Sequence, residues 1–244
     1  YGDVVLKIGD PSSNGIFLEY NTLREYNGKP FCKVFDAELS NSVILEEYVS
    51  PGTPLRDEHC LEKRLSVFCD LYKELHKPPA AAELYPTYLD WVCNITEYMS
   101  SRYDCKEFYM HMAKAREICL SLSRLYAGKM LLHGDFHHDN ILMGSNGHYT
   151  IIDPKGVIGD PIFDVPRFIL NEFNDDFSPE LYKKIDDIIC TLEDKLNIPN
   201  DMIKKCLYVE TVMGNCWSIE DGATKEEFPE LMKSITFSQS ILEA

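Results

Sequence analysis

The chain has 244 residues, with 24 Lys and Arg against 40 Asp and Glu, a formal net charge of −16. Hydrophobic residues at 45% and charged residues at 26% are ordinary globular usage, which excludes a disordered or fibrous chain. The acidic balance disfavours a nucleic-acid binder, whose phosphate contacts need clustered Lys and Arg, and it suits a cationic small-molecule partner.

Residues 3–9 read as a short apolar strand ending at a glycine. Residues 17–26 have helical composition and stop at Asn27-Gly28, a good C-terminal signal. Strands are predicted over 31–35 and 43–49. The run Ser50-Pro51-Gly52-Thr53-Pro54 then breaks the pattern and marks a linker or hinge. Beyond it the chain turns helical. Leu61, Leu65, Phe68, Tyr72 and Leu75 recur at three- and four-residue steps, as do Phe108, Met112, Ala115, Ile118, Leu122 and Leu125 before Gly128. Short strands are expected over 141–143 and 149–152, joined by a Gly-Ser-Asn-Gly turn at 144–147. Three more helices are predicted over 178–196, 201–217 and 225–242.

The nine cysteines are odd in number, loosely spaced and without a CxxC pair, which argues against a disulfide framework and a structural zinc site. No apolar run approaches the roughly 18 residues needed to span a bilayer, and no basic-then-apolar leader opens the sequence. The triplet Asn94-Ile95-Thr96 reads as coincidence, and the expected compartment is the reducing cytoplasm.

The chemistry concentrates in Leu131-Leu132-His133-Gly134-Asp135-Phe136-His137-His138-Asp139-Asn140-Ile141-Leu142, followed by Tyr149-Thr150-Ile151-Ile152-Asp153-Pro154. Carboxylates this dense between apolar strands must be paired or metal-bound, because an unpaired buried charge costs several kcal/mol. The order is His-x-Asp, an Asn five positions after that Asp, and a strand ending in a second Asp. Phosphoryl transfer from a nucleotide requires these parts: one carboxylate to orient the attacking hydroxyl, and an Asn and an Asp as oxygen ligands for Mg²⁺.

His133-Gly134-Asp135 with Asn140 resembles the catalytic loop of the aminoglycoside phosphotransferases, bacterial relatives of protein kinases. Ile152-Asp153-Pro154-Lys155-Gly156, with Gly159-Asp160-Pro161 and Asp164, is similar to the streptomycin phosphotransferase and hydroxyurea kinase-like branch. The resemblance implies an α+β, protein-kinase-like two-lobe fold. Residues 1–49 would form a small, β-rich and partial nucleotide-binding lobe with its hinge at 46–49, and residues 50–244 a larger, mainly helical catalytic and substrate-binding lobe. Asp135 would be the catalytic base, His133 a brace for its loop, and Asn140 and Asp153 the Mg²⁺ ligands. Lys7 would hold the nucleotide phosphates with Glu19 as its helix partner, and the backbone of Glu47 and Val49 would meet the adenine edge.

The segment 216–222 also looks like the branch's pattern, which would place Trp217, Glu220 and Asp221, together with Asp160, on the side of the acceptor. The implied reaction moves the γ-phosphoryl group of ATP or GTP to a hydroxyl of a small cationic molecule such as streptomycin, without nucleic-acid or membrane partners. Only six residues precede Lys7, and none of the thirteen glycines forms GxGxxG, so the small lobe is expected to be incomplete and nucleotide affinity poor.

Other readings stay open at this level. The acceptor could be another hydroxylated metabolite, or the cluster from His133 to Asp139 could hold zinc or iron in a hydrolase. Lys7 could be an ordinary strand-end lysine, Glu25 competes with Glu19 for it, and Trp217 could be core. Asp160 and Asp164 read as loop-bracing carboxylates that accept backbone N–H bonds.

Overall fold

The computed structural model describes residues 2–174 and 176–244. They divide into two compact units. The first takes the chain up to Pro86 together with Lys129–Asp164, and the second takes Thr87–Gly128 with Val165–Ala244.

The first unit carries the strands. β1 (Val4–Ile8), β2 (Val34–Glu38) and β3 (Val43–Glu47) form an antiparallel sheet in the order β1-β3-β2, with Lys7 opposite Ile44. Alternation along β3 buries Ile44 and Glu46 on one face. α1 (Gly15–Tyr26) buries Ile16, Glu19, Thr22 and Leu23, a stripe at helical spacing. It ends at Asn27, whose left-handed φ of 50° suits an Asn cap and whose N–H returns to the Leu23 carbonyl.

The strand expected from residue 31 begins only at Val34. Phe31 instead bridges to Ile151, and the Cys32 N–H donates to the Ile151 carbonyl at 2.9 Å. The expected linker contains β4 (Pro51–Pro54), which pairs with β6 (Ile141–Gly144). Its two prolines are tolerated because β4 is the edge of the sheet β4-β6-β7 and its register shifts between Pro51 and Thr53. β6 and β7 (Tyr149–Ile151) make a hairpin whose turn closes with the Gly147 N–H on the Gly144 carbonyl at 3.0 Å. β5 (Met130–Leu132) pairs antiparallel with β8 (Val157–Gly159), Leu131 facing Ile158. α2 (Leu61–Leu75) buries Leu65, Phe68, Tyr72 and Leu75 of the periodic set read from the sequence, together with Cys69.

The second unit is helical: α3 (Tyr88–Ser100), α4 (Lys106–Leu125), α5 (Pro166–Leu170), α6 (Pro179–Leu196), α7 (Asn200–Glu220) and α8 (Phe228–Leu242). α7 is its axis, with every residue from Cys206 to Met213 buried and the other five helices packed around it. Periodicity did not assign α3. It begins at a capping box in which Thr87 and Asp90 exchange bonds, and it buries Tyr88, Val92, Ile95 and Met99. Glu210, inside α7, bonds the Tyr88 hydroxyl and faces Arg167 Nε at 2.6 Å. No disulfide forms among the described residues, and none of their helices is long and apolar enough to cross a membrane.

Candidate active site

β5 ends where the polar loop begins, and the loop is fastened from beneath by Asp164. This carboxylate, 1% exposed, accepts the His133 N–H on Oδ2 and the Gly134 N–H on Oδ1, both at 2.8 Å. Its Oδ2 also meets His76 Nε2 at 2.9 Å. Gly134 takes φ +78°, a conformation open to glycine that lets two successive amides converge on one carboxylate.

His133 is fully buried, stacked near Phe31 and tilted against Phe136. Its Nδ1 accepts the Asp135 N–H at 3.1 Å, so Nε2 carries the proton donated to the Ile152 carbonyl at 2.9 Å. Burial lowers its pKa despite Asp164 and Asp135, and the ring stays neutral. With both nitrogens engaged, His133 has no lone pair for zinc or iron, and no three His, Cys, Asp or Glu side chains gather as a metal group among the described residues.

Asp135 opens the turn that returns to β6. Asn140 Nδ2 donates to the Asp135 carbonyl at 2.9 Å, which fixes the amide and leaves its Oδ1 as the acceptor end. His137 Nε2 lies 3.4 Å from Asp135 Oδ1. Asp139, next to Asn140, is clamped by Arg56 through two bonds of 2.6 and 2.7 Å, which hold its carboxyl below the usual range.

Asp153 follows β7 and adopts φ +62°. An acid tolerates this left-handed conformation better than a β-branched residue would. Its Oδ1 accepts from Lys7 at 2.6 Å and its Oδ2 from Lys155 at 2.8 Å. Burial pushes the Asp153 carboxyl up, but the two lysine bonds outweigh it and keep the group ionised below the ordinary range. An ionised carboxylate and an oriented amide oxygen are hard oxygen donors, a set that fits Mg²⁺. Close by, a Cβ on Gly156 would stand 2.4 Å from Thr22 Oγ1, so only glycine lets this segment approach α1.

Lys7 also contacts Glu19 directly and lies 3.9 Å from Glu46. Burial pushes both carboxyls up, Glu19 to about 7, while the same acids together with Asp153 raise the lysine. The two sides pull in opposite senses, and the direct contact carries the pairing. Glu25 instead faces Lys77 at 3.3 Å.

Among the predicted residues, Lys7, Glu19, His133, Asp135, Asn140 and Asp153 are thus bound into one network in the first unit. Asp160, in the same unit, accepts the Ile162 N–H at 3.2 Å. Glu47 accepts the Lys33 N–H on Oε2 at 3.0 Å, while Val49 is buried just after β3. Trp217, Glu220 and Asp221 lie at the end of α7. There Trp217 meets Trp91 edge-on at 5.6 Å, and burial and Asp221 raise the Glu220 carboxyl. Sequence reasoning missed Arg56, His76 and His137 as members of the loop's bonding. Only His137, within the motif, had a local signal.

A sequence model of the aminoglycoside/hydroxyurea antibiotic resistance kinases matches residues 5–222. The chain belongs to this family. The chain is similar to streptomycin 3''-kinase from Klebsiella pneumoniae, 24% identical over 62% of this chain and 55% of the relative. It is also similar to streptomycin 6-kinase from Streptomyces griseus, 22% identical over 83% of this chain and 66% of the relative. The chain therefore matches between half and two thirds of the length of these curated kinases.

Among solved structures it resembles choline kinase LicA from Streptococcus pneumoniae, with a TM-score of 0.69 at 14% identity over 98% of this chain and 85% of that one. An aminoglycoside phosphotransferase in ternary complex with ADP and hygromycin B gives a TM-score of 0.65 at 17% identity, over 98% of this chain and 86% of that one. These likenesses show the fold: the α+β, protein-kinase-like arrangement that the motif resemblance implies.

Proposed function

We propose that this family member transfers the γ-phosphoryl group of ATP, or of GTP, to a hydroxyl of a small cationic acceptor, with an aminoglycoside such as streptomycin as the first choice. The observation that carries the reading is the bonded set Asp135–Asn140 and Asp153–Lys7, with 2.9 Å from the Asn140 amide to the Asp135 carbonyl and 2.6 Å from Lys7 to Asp153. It gathers a base, two oxygen ligands and a phosphate-binding cation from distant parts of the sequence.

Asp135 orients the acceptor hydroxyl and takes its proton. Lys7, steadied by Glu19, binds the nucleotide phosphates. Residues 1–49 carry the nucleotide side, with the adenine edge on the backbone of Glu47 and Val49. Mg²⁺, held by Asn140 and Asp153, neutralises charge on the phosphate oxygens. His133 holds the base's backbone in place from below. A formal net charge of −16 favours a cation as the acceptor. The similarity to two streptomycin kinases supports this class of acceptor.

The test is a phosphoryl-transfer screen of the full-length protein with ATP, Mg²⁺ and a panel of aminoglycosides and amino-alcohols. Turnover on at least one of them is expected, and Asp135→Asn should lower kcat by about 10³. Asp135→Asn with undiminished kcat removes Asp135 from the role, and a panel with no turnover overturns the reading.

A further inference from the structure

Lys155 takes part in none of the roles just assigned, yet it sits among the reacting groups. Its backbone N–H donates to the His133 carbonyl at 2.7 Å, which ties the segment after Asp153 to the loop that carries Asp135. Its side chain then reaches back, with Nζ 2.8 Å from Asp153 Oδ2 and 4.0 Å from Asp135 Oδ2. One ammonium thus stands beside both the base and the metal-ligating carboxylate. It is on the oxygen of Asp153 that Lys7 does not use, since Lys7 bonds Oδ1.

The two lysines differ in freedom. Lys7 is enclosed by Glu19, Glu46 and Asp153, and its side chain is 28% exposed, so it is held in one place. The Lys155 side chain is 45% exposed. A flexible four-carbon stem lets its charge shift by a few ångströms while the backbone stays bonded to His133.

We infer that Lys155 is a catalytic residue, whose ammonium contacts a non-bridging oxygen of the phosphoryl group while it passes from nucleotide to acceptor. The inference rests on the phosphotransferase reading. In that step the acceptor oxygen bonds to the γ-phosphorus as the bond from that phosphorus to the β,γ-bridging oxygen breaks. The hydroxyl proton goes to Asp135, and the electron pair of the broken bond leaves with the nucleoside diphosphate. Lys155 keeps its protons and donates a charged hydrogen bond. A group crossing between an acceptor held at Asp135 and phosphates held near Asp153 passes this ammonium, which lies 2.8 Å from one carboxylate and 4.0 Å from the other. A cationic donor that meets the charge in transit lowers the barrier without tightening the resting nucleotide.

The experiment measures kcat and KM on the full-length protein with ATP, Mg²⁺ and streptomycin or, failing that, the best acceptor of the panel. Lys155→Met keeps the backbone N–H and the aliphatic stem and removes only the charge. It should lower kcat by about a hundredfold with KM for ATP within about threefold of the parent. Lys155→Arg should restore at least about tenfold of that loss. Melting temperatures are read alongside, and Lys155→Gln carries the test if Lys155→Met does not fold.

A parent kcat in the charge-removed variant overturns the inference, and so does a loss confined to KM for ATP. Transfer by the parent protein shows that the underlying reading survives either result. A parent protein that transfers nothing overturns that reading and the inference with it.

Discussion

Lys7 Nζ donates to Asp153 Oδ1 at 2.6 Å, joining β1 to the segment after β7 across 146 residues of sequence. The same ammonium contacts Glu19 on α1, so three elements of the first unit meet at one charge. Three carboxylates around a single lysine make the lysine the keystone of the group.

Lys7→Met should therefore destabilise the fold by about 3 kcal/mol, because it leaves buried acids without their cation. Urea unfolding measures this. In the same variant the nucleotide KM should rise at least about tenfold, whereas an unchanged KM would assign Lys7 to the fold alone.

Glu19 gives the site a pH dependence of definite sign. Burial pushes its carboxyl up to about 7 despite Lys7, above the value of 4.5 it has when exposed. The folded state thus binds the proton more tightly than the unfolded chain does. Its stabilising share is full below pH 4.5 and is lost as pH rises through about 7. The parent protein should lose stability relative to Glu19→Gln between pH 4.5 and 7.5. Paired urea titrations across that range check this, and parallel curves would count against it.

Asp164 bonds two successive backbone amides and His76 while 1% exposed. Asp164→Ala should cost about 3 kcal/mol and loosen the loop that carries Asp135. Hydrogen exchange at the His133 and Gly134 amides should accelerate more than at the β6–β7 hairpin. Equal protection there would mean the loop is held by other contacts.

In the second unit a buried acid meets its base within the helices. Glu210 in α7 is 1% exposed, bonds Tyr88 and lies 2.6 Å from Arg167. Glu210→Ala should cost roughly 3 kcal/mol, and Glu210→Gln, which keeps the acceptor for Tyr88, should cost less. Thermal unfolding of the two variants should rank them in that order.

Much of this was legible in the sequence, and its limits have physical causes. The helices with strong apolar spacing, such as α2 and α6, stood out because each buries one stripe. α3 was missed although Thr87 and Asp90 marked its start, since Pro79, Pro86 and the alanines before it gave no continuous period. β4 was hidden by Pro51 and Pro54, which a strand admits at an edge and composition alone reads as a break. At the site, the order His133, Asp135, Asn140, Asp153 survives as linear spacing because all four flank short strands. Arg56 reaches Asp139 from 83 residues away in sequence and His76 reaches the loop's fastener Asp164 from 88, a closeness no local pattern encodes.

The β6–β7 hairpin also sets limits on how the gene can change length. Asn140 precedes its first strand and Asp153 follows its second, with Ile141 opposite Ile151 and the Ile152 N–H on the Asn140 carbonyl at 3.0 Å. Successive residues of a strand face opposite ways, so one codon inserted within 141–143 or 149–151 would turn one of the two oxygen donors away from the other. The exposed tip around Asn146 has no such constraint. Insertions and deletions among descendants of this gene should accumulate at the tip, while the two short strands keep their length.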